Sequence, residues 1–434
     1  MKDNDSLQAK LAAATCALLG TTAIDTRAQA SEADQWSFDT GLLYYGESDS
    51  RVTDISATVA ARRDFGDEKA LGLTLTADTL TGASASGAIA LDRVQTFTSP
   101  SGKATYSTPA LEIPLDDTFK DTRFALNANW SQPLARLYTL SAGLGFSTEY
   151  DYTHLGANVS LARDFNKRNT TLSAGIAYSQ DDIDPVGGAP VPLSQMLDVG
   201  NGTNKTSGDS KSVLDFLLGF TQVLGRSTVL RVNYSYSDSS GYLNDPYKIL
   251  SVVDPLSGDT LTRIPVGVGP DGVYRFESRP DSRTKQSLYA EMKHAFGQPV
   301  LRFAYRYMTD DWGIDSNTFE TSLRWPIGAS SYVEPQLRYY MQGAADFYRS
   351  SLVAGQPLPE FASADFRLGE FDATTVGIKF GHRQSGGNEW NVRAEYYQQT
   401  GTVPSEQLIG NQHRREQYPD LSAVIVQFGY KFGL

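Results

Sequence analysis

The feature that most constrains this chain is a strict alternation of apolar and polar residues, repeated in segment after segment from Trp36 to the last residue. Phe124, Leu126, Ala128 and Trp130 alternate with Arg123, Ala125, Asn127 and Asn129. Leu172, Ala174, Ile176 and Tyr178 alternate with Ser173, Gly175, Ala177 and Ser179. Period two places successive side chains on opposite faces of a strand, so each segment has one apolar and one polar face. About sixteen such segments occur, each about ten residues long, the length of a tilted membrane-crossing strand. Their approximate spans are 35–45, 52–64, 70–79, 119–131, 138–150, 152–165, 170–181 and 211–223, followed by 228–238, 284–295, 300–310, 316–326, 331–341, 371–383, 390–400 and 420–434. No stretch carries a convincing helical period, and none offers the run of about 18 apolar residues that a membrane helix needs.

The connections sort by length. Those after even-numbered segments are short: Gly66–Lys69, Gln132–Leu137, Asn166–Asn169, Leu224–Ser227, Gly297–Pro299, Pro326–Ser330 and Gln384–Glu389. Those after odd-numbered segments include four long ones, 80–118, 182–210, 239–283 and 342–370. Aromatic residues sort the same way. Trp36, Trp130, Trp325 and Trp390 fall at the short-turn rim, whereas Tyr44, Tyr150, Tyr178, Tyr236, Tyr307, Tyr339 and Tyr396 fall toward the long-loop rim. Two aromatic girdles and segregated loop lengths mark an all-β, transmembrane antiparallel β-barrel of about 16 strands, with short periplasmic turns and long extracellular loops. A soluble sandwich has no reason to show either regularity.

Residues 1–30 read as a cleaved signal peptide: Lys2 and Lys10 precede an apolar-to-small stretch from Leu11 to Ile24, and Ala28-Gln29-Ala30 is the cleavage pattern. Asp3 and Asp5 are unusual there. The barrel domain is then 31–434, and localisation is the outer membrane. The only cysteine, Cys16, falls inside the signal, and the residues before it lack the leucine of a lipid-anchor site. The mature chain therefore has no disulfide and no cysteine-held metal. With Lys+Arg 38 against Asp+Glu 50, a net charge of -12 argues against nucleic acid as a partner.

The polar faces of the strands carry Arg231, Arg302, Arg306, Glu320, Arg324, Glu334, Arg393 and Glu395. Charge facing lipid costs about 2–4 kcal/mol per Arg or Lys at the midplane, so these residues are expected to line the lumen. They could border a water-filled pore or salt-bridge across it.

The loop segments carry a family resemblance. DTLTGASASGA (78–88), QTFTSPSG (95–102), EYDYTHLG (149–156) and RNTTLSAGIAYSQDDIDPVGGAPVP (168–192) are similar to segments of a bacterial outer-membrane family known as domain of unknown function thirty-five-seventy. RPDSR (279–283), YRYMTDDWGIDSNT (305–318), RYYMQGAADFY (338–348) and SADFRLGEFDATTVG (363–377) resemble it too. The resemblance spans nearly all the mature chain. It implies an outer-membrane β-barrel whose genes lie beside those of a small lipoprotein, a flavin-attaching transferase and a thioredoxin-like protein. A small lipoprotein or a flavin-bearing or thioredoxin-like exported protein is the partner this implies.

Acidic residues gather where strands enter the long loops. Asp182, Asp184, Asp310, Asp311 and Asp315 are weak candidates for Ca2+ or another hard cation, although TDDWGID (309–315) lacks the spacing of a twelve-residue calcium loop. The competing reading has these carboxylates capping turns and pairing with arginines; no cofactor is expected. Loops this long must fold onto something, and a plug or vestibule at the outer mouth is expected from Asp78, Asp182, Asp184, Arg279, Arg283, Asp310, Asp311, Trp312 and Arg338. Catalytic signals are thin. The four histidines, His154, His294, His382 and His413, are widely separated, with no zinc-binding pair, and there is no G-x-S-x-G nucleophile.

Three functions remain. The first is a porin-like channel or conduit, and the second a sheath housing a lipoprotein or redox partner. An outer-membrane hydrolase is the weakest. Besides lipid, the expected partner is the barrel-assembly machinery, which would recognise the alternating Phe428, Tyr430, Phe432 and Leu434 of the last strand.

Overall fold

The computed structural model describes residues 35–48, 51–201, 204–263 and 269–433. The expected signal peptide lies outside them. The wall of the molecule is a closed antiparallel barrel of sixteen strands. In chain order these are β1 (Trp36–Glu47), β2 (Val52–Asp64), β3 (Ala70–Ala85), β6 (Leu115–Ala135), β7 (Tyr138–Thr148), β8 (Tyr152–Phe165), β9 (Thr170–Ile183) and β12 (Asp209–Val223). There follow β13 (Thr228–Gly241), β16 (Ser282–Ala295), β17 (Val300–Asp310), β18 (Asp315–Ile327), β19 (Ser331–Gln342), β21 (Glu370–Arg383), β22 (Glu389–Thr402) and β23 (Leu421–Gly433). Each strand pairs with its predecessor, and β1 closes the ring on β23, with Leu42 opposite Phe428. Closure leaves no edge of unpaired backbone, which is what permits strands to cross a membrane.

All sixteen expected segments are wall strands. Their bounds differ mainly at the long-loop rim, where β3 and β6 run on to Ala85 and start at Leu115, lifting a hairpin above the rest of the wall. The expected aromatic sorting holds: the four tryptophans sit at the short-turn ends of β1, β6, β18 and β22. The outward positions are large and apolar without protein cover, as at Leu288, Phe303, Phe319, Leu337, Val376, Val392 and Val426. An apolar band around a closed barrel is the surface that lipid stabilises, and in water it would be an aggregation site.

The remaining seven strands are short and lie in the loops: β4 (Gln95–Thr98), β5 (Thr105–Thr108), β10 (Ala189–Pro190), β11 (Lys205–Thr206), β14 (Ile249–Val253), β15 (Tyr274–Phe276) and β20 (Leu352–Val353). Each of β4–β5 and β10–β11 is a hairpin within one loop, whereas β20 of a different loop adds in parallel to β14. The loops thus form a cap with its own core, in which Phe97, Leu250, Val253, Tyr274 and Ala362 are fully buried. Phe97 lies between the rings of Tyr106 and Tyr274, at 5.1 and 4.8 Å. A fifth connection, 403–420, joins the four long ones expected from the sequence: Gln412 is buried in it and donates to the Gly258 carbonyl at 2.8 Å.

Candidate functional site

Two groups of charged residues stand out, one in the cap and one on the inward face of the barrel wall. In the cap, a network joins loop 242–281 to loop 343–369. Arg279 donates to Asp365 at 2.8 Å and to Glu277 at 3.0 Å. Arg367 donates to Asp245 and Asp365, each at 2.7 Å. Ser363 donates to Glu277 at 2.5 Å, and Asn244 accepts from the Arg279 backbone amide at 2.6 Å. The buried Lys248 ammonium donates to the Ala85 carbonyl at 2.6 Å, which ties the network to β3.

Three carboxylates and three cations balance here, but they do not titrate alike. Burial would raise the Asp365 carboxyl, yet Arg367, Arg279 and Lys248 outweigh it and hold the group well below its usual range. Burial pushes the Glu277 carboxyl up to about 7, with only Arg279 and the Ser363 hydroxyl strongly opposing and with Asp245 and Asp365 adding to the rise.

Beside this network, at the rim of the wall, Arg283 on β16 bonds to Asp310 on β17 at 2.8 Å and lies 4.3 Å over the Trp312 ring. Asp310 also accepts from the backbone amides of Trp312 and Ile314, at 3.0 and 2.9 Å. Trp312 donates to the Ser282 carbonyl at 2.9 Å and packs edge-on against Phe347 of the cap. Asp311 accepts from the Thr284 amide at 2.9 Å, and Asp315 from the Tyr307 hydroxyl at 2.9 Å.

Of the nine residues expected in one plug, Arg279, Arg283, Asp310, Asp311 and Trp312 therefore lie together. The other four do not join them. Asp78 faces Arg123 at 3.0 Å across the β3–β6 pair, and Arg338 faces Glu320 at 3.6 Å within the wall. Asp182 and Asp184 are exposed, because β9 runs on to Ile183 and turns them out at its end. The five acidic residues weighed for a hard cation do not converge: Asp310, Asp311 and Asp315 spend carboxylate oxygens on backbone amides, Arg283 and Tyr307. Sequence reasoning passed over Asp245, Lys248, Glu277, Asp365 and Arg367. The available signal was the pair of charged doublets two residues apart, Glu277/Arg279 and Asp365/Arg367, the second inside a segment that carried the family resemblance and the first overlapping the start of another.

On the wall, the inward set of alternate positions carries the second group. Glu291 is shared by Arg302, Lys293 and Arg231, at 2.6, 3.7 and 4.0 Å. Glu320 is shared by Arg302 and Arg338, at 2.9 and 3.6 Å. Arg306 lies one step further along, 5.3 Å over the Tyr289 ring. Glu334 is in register with Lys379, and Arg324 lies 3.6 Å over the ring of Tyr332. Arg393 reaches Glu395 at 3.8 Å while its Nε is buried without a partner. The opposite wall is different. Asn127, Asn129, Gly143, Gly145, Asn158 and Gly175 alternate there with the outward apolar residues of β6–β9. The Asn129 and Asn158 amides lie across the face of Gly143, where a Cβ would collide with both.

A family model described as Protein of unknown function (DUF3570) matches residues 8–432. The chain belongs to this family. No curated protein sequence matches this DUF3570 member. Among solved structures it is similar to the CymD monoaromatic hydrocarbon channel, at 10% identity and TM-score 0.40, covering 93% of this chain and 89% of that one. It is also similar to a bacterial polysaccharide outer membrane secretin, at 9% identity and TM-score 0.43, covering 93% and 99%. The siderophore receptor PirA from Acinetobacter baumannii matches at 8% identity and TM-score 0.40, over 86% of this chain and 54% of the receptor. The chain thus spans about half the length of that receptor. What each of these proteins carries or binds is a property of that protein.

Proposed function

We propose that this protein is an outer-membrane conduit for small hydrophilic solutes, exported through its signal peptide, with short turns in the periplasm and five loops capping the outer mouth. The observation that carries the reading is the wetness of the inward charges. The Glu320 and Arg338 side chains keep 32% and 38% of their surface accessible to water. The inward pair Asp39–Lys431 at the short-turn end keeps 51% and 56%. Ions that far from burial need a hydrated bore, because a dry one would impose a desolvation penalty of several kcal/mol per ion. Sixteen strands also enclose more space than their side chains fill. The alternating aromatic end of β23 is the feature the assembly machinery would read. Purified protein in planar lipid bilayers is expected to give stepwise conductance. A folded, inserted barrel that stays silent at every voltage overturns the conduit. Steps that appear only after a co-purified lipoprotein or redox partner is stripped away establish the sheath instead.

A further inference from the structure

We propose that the β16–β22 wall is an anion track, which takes small phosphate- or carboxylate-bearing solutes through the bore; this rests on the conduit reading. Cations outnumber carboxylates at close quarters on this wall. Eight cations face four carboxylates along this wall and the neighbouring β13: Arg231, Lys293 and Arg302 at Glu291, Arg338 and Arg306 at or beside Glu320, Lys379 and Arg324 beside Glu334, and Arg393 at Glu395, while Glu389 pairs with Arg383 at the short-turn rim. Arg302 already holds Glu291 and Glu320 together, so those two carboxylates have little capacity left. Arg306, Arg324 and Lys379 are left with the faces of Tyr289 and Tyr332. An aromatic face orients a cation but leaves its outward N–H donors unused. On an inward face those donors are free to meet a solute in the bore.

Position along the strands makes the three a path. Arg324 and Lys379 stand in the short-turn third of β18 and β21, and Arg306 stands at mid-height on β17. The guanidinium forks suit a bidentate oxyanion, the ammonium a single oxygen. Across the bore, the middle of the β6–β9 wall offers the neutral amides of Asn127, Asn129 and Asn158, and the charges of that wall stand toward the strand ends in pairs, Arg123 with Asp78, His154 with Asp181 and Arg168 with Asp164, so at mid-height the excess positive charge lies on one wall.

The test uses full-length protein in a planar bilayer under a KCl gradient. The reversal potential is expected on the chloride side. Arg306→Gln, Arg324→Gln and Lys379→Gln together should move it to zero or to the cation side. Lys69→Gln, Lys103→Gln and Lys167→Gln remove the same charge from exposed positions outside the bore and should leave it in place. Arg306→Lys with Arg324→Lys keeps the charge and should also keep the selectivity. In detergent, calorimetry with inorganic phosphate should show binding about tenfold weaker in the triple glutamine variant. Heat-modifiable mobility on gels verifies that each variant is a folded barrel. A cation-selective wild type, or a triple variant unchanged in both reversal potential and phosphate affinity, overturns the track. Absence of conductance with phosphate affinity still lost in the triple variant keeps the anion site on this wall and sinks the conduit, and with it passage through the bore; steps without anion preference keep the conduit and overturn the track.

Discussion

The cap and the bore are built from the same pairings of arginine with carboxylate, yet they put them to opposite use. In the cap, the side chains of Asp365 and Glu277 are each 1% exposed, and Arg279, Arg367, Asp245, Glu277 and Asp365 each find a partner across the two loops, with Lys248 tied to β3. On the wall, Arg302 and Glu320 are about a third exposed at 31% and 32%, and cations outnumber the acids that face them. The first arrangement is closed on itself and fixes geometry. The second is left unbalanced towards water. Dryness decides which role an ion pair plays, because a charge without its partner is costly only where water cannot replace that partner.

The comparison breaks most visibly at Asp365. Asp365→Ala leaves Arg279 and Arg367 buried with half their acceptors gone, and removal of one partner from a buried pair costs about 3–5 kcal/mol. Loops 242–281 and 343–369 should then exchange amide hydrogens and yield to protease, while the barrel keeps its heat-modifiable mobility. Next in size is Asp310→Ala combined with Asp311→Ala. This removes the Arg283 contact and the acceptors for three backbone amides at one rim turn. A loss of about 2–3 kcal/mol is expected, read as looser loops and altered single-channel conductance with normal insertion. Cap exchange rates equal to wild type in both variants would show that the apolar core around Phe97 and Tyr274 holds the cap unaided.

How much of this could be read from the chain follows from how local each contact is. The sixteen wall strands were legible because a two-residue period needs no partner to declare itself: Phe124 to Trp130 shows its two faces within seven residues. The cluster of Arg283, Asp310 and Trp312 was nearly as legible, since β16 and β17 form one hairpin with a short turn. The Arg279–Asp365 bond was not, because its partners lie 86 residues apart on irregular backbone with no period to align them. Arg338 was misjudged for a related reason. Its segment borders a long loop, but the side chain stands four residues inside the wall and finds Glu320 on the next strand.

Acidity separates the two regions further. Glu277 is held at about 7 against an ordinary 4.5, so the folded cap binds that proton more tightly than the unfolded chain does. Its contribution is present below the ordinary value and is lost as pH rises toward 7. Asp365 is depressed, so its contribution runs the other way and is lost as pH falls below the usual carboxylate range. The cap should therefore be tightest near roughly pH 4 to 5 and loosen progressively up to about pH 7. Hydrogen exchange of the loops as a function of pH checks this. Glu277→Gln should abolish the loosening on the alkaline side and leave the acid limb untouched. A wild-type cap equally protected at pH 5 and pH 8 would mean that Glu277 stays ionised in the network.

The smallest stability effect, and the sharpest contrast, belongs to Glu320. It is the bore's counterpart of Asp365, since it too is shared between two arginines, but its pairs are wet. Exposed pairs are worth about 0–1 kcal/mol, so Glu320→Gln should leave the thermal unfolding midpoint of the barrel nearly unchanged. Its effect on permeation should be larger and of definite sign. The change releases Arg302 and Arg338 and takes the same negative charge away from Arg306, raising the positive charge at mid-height. Anion preference should rise, opposite to the effect of removing the cations. Reversal potential and unfolding midpoint measured on one preparation decide the matter. A midpoint lowered as far as Asp365→Ala loosens the cap would mean that the bore at Glu320 is dry, and the division between a closed cap and an open wall would not stand.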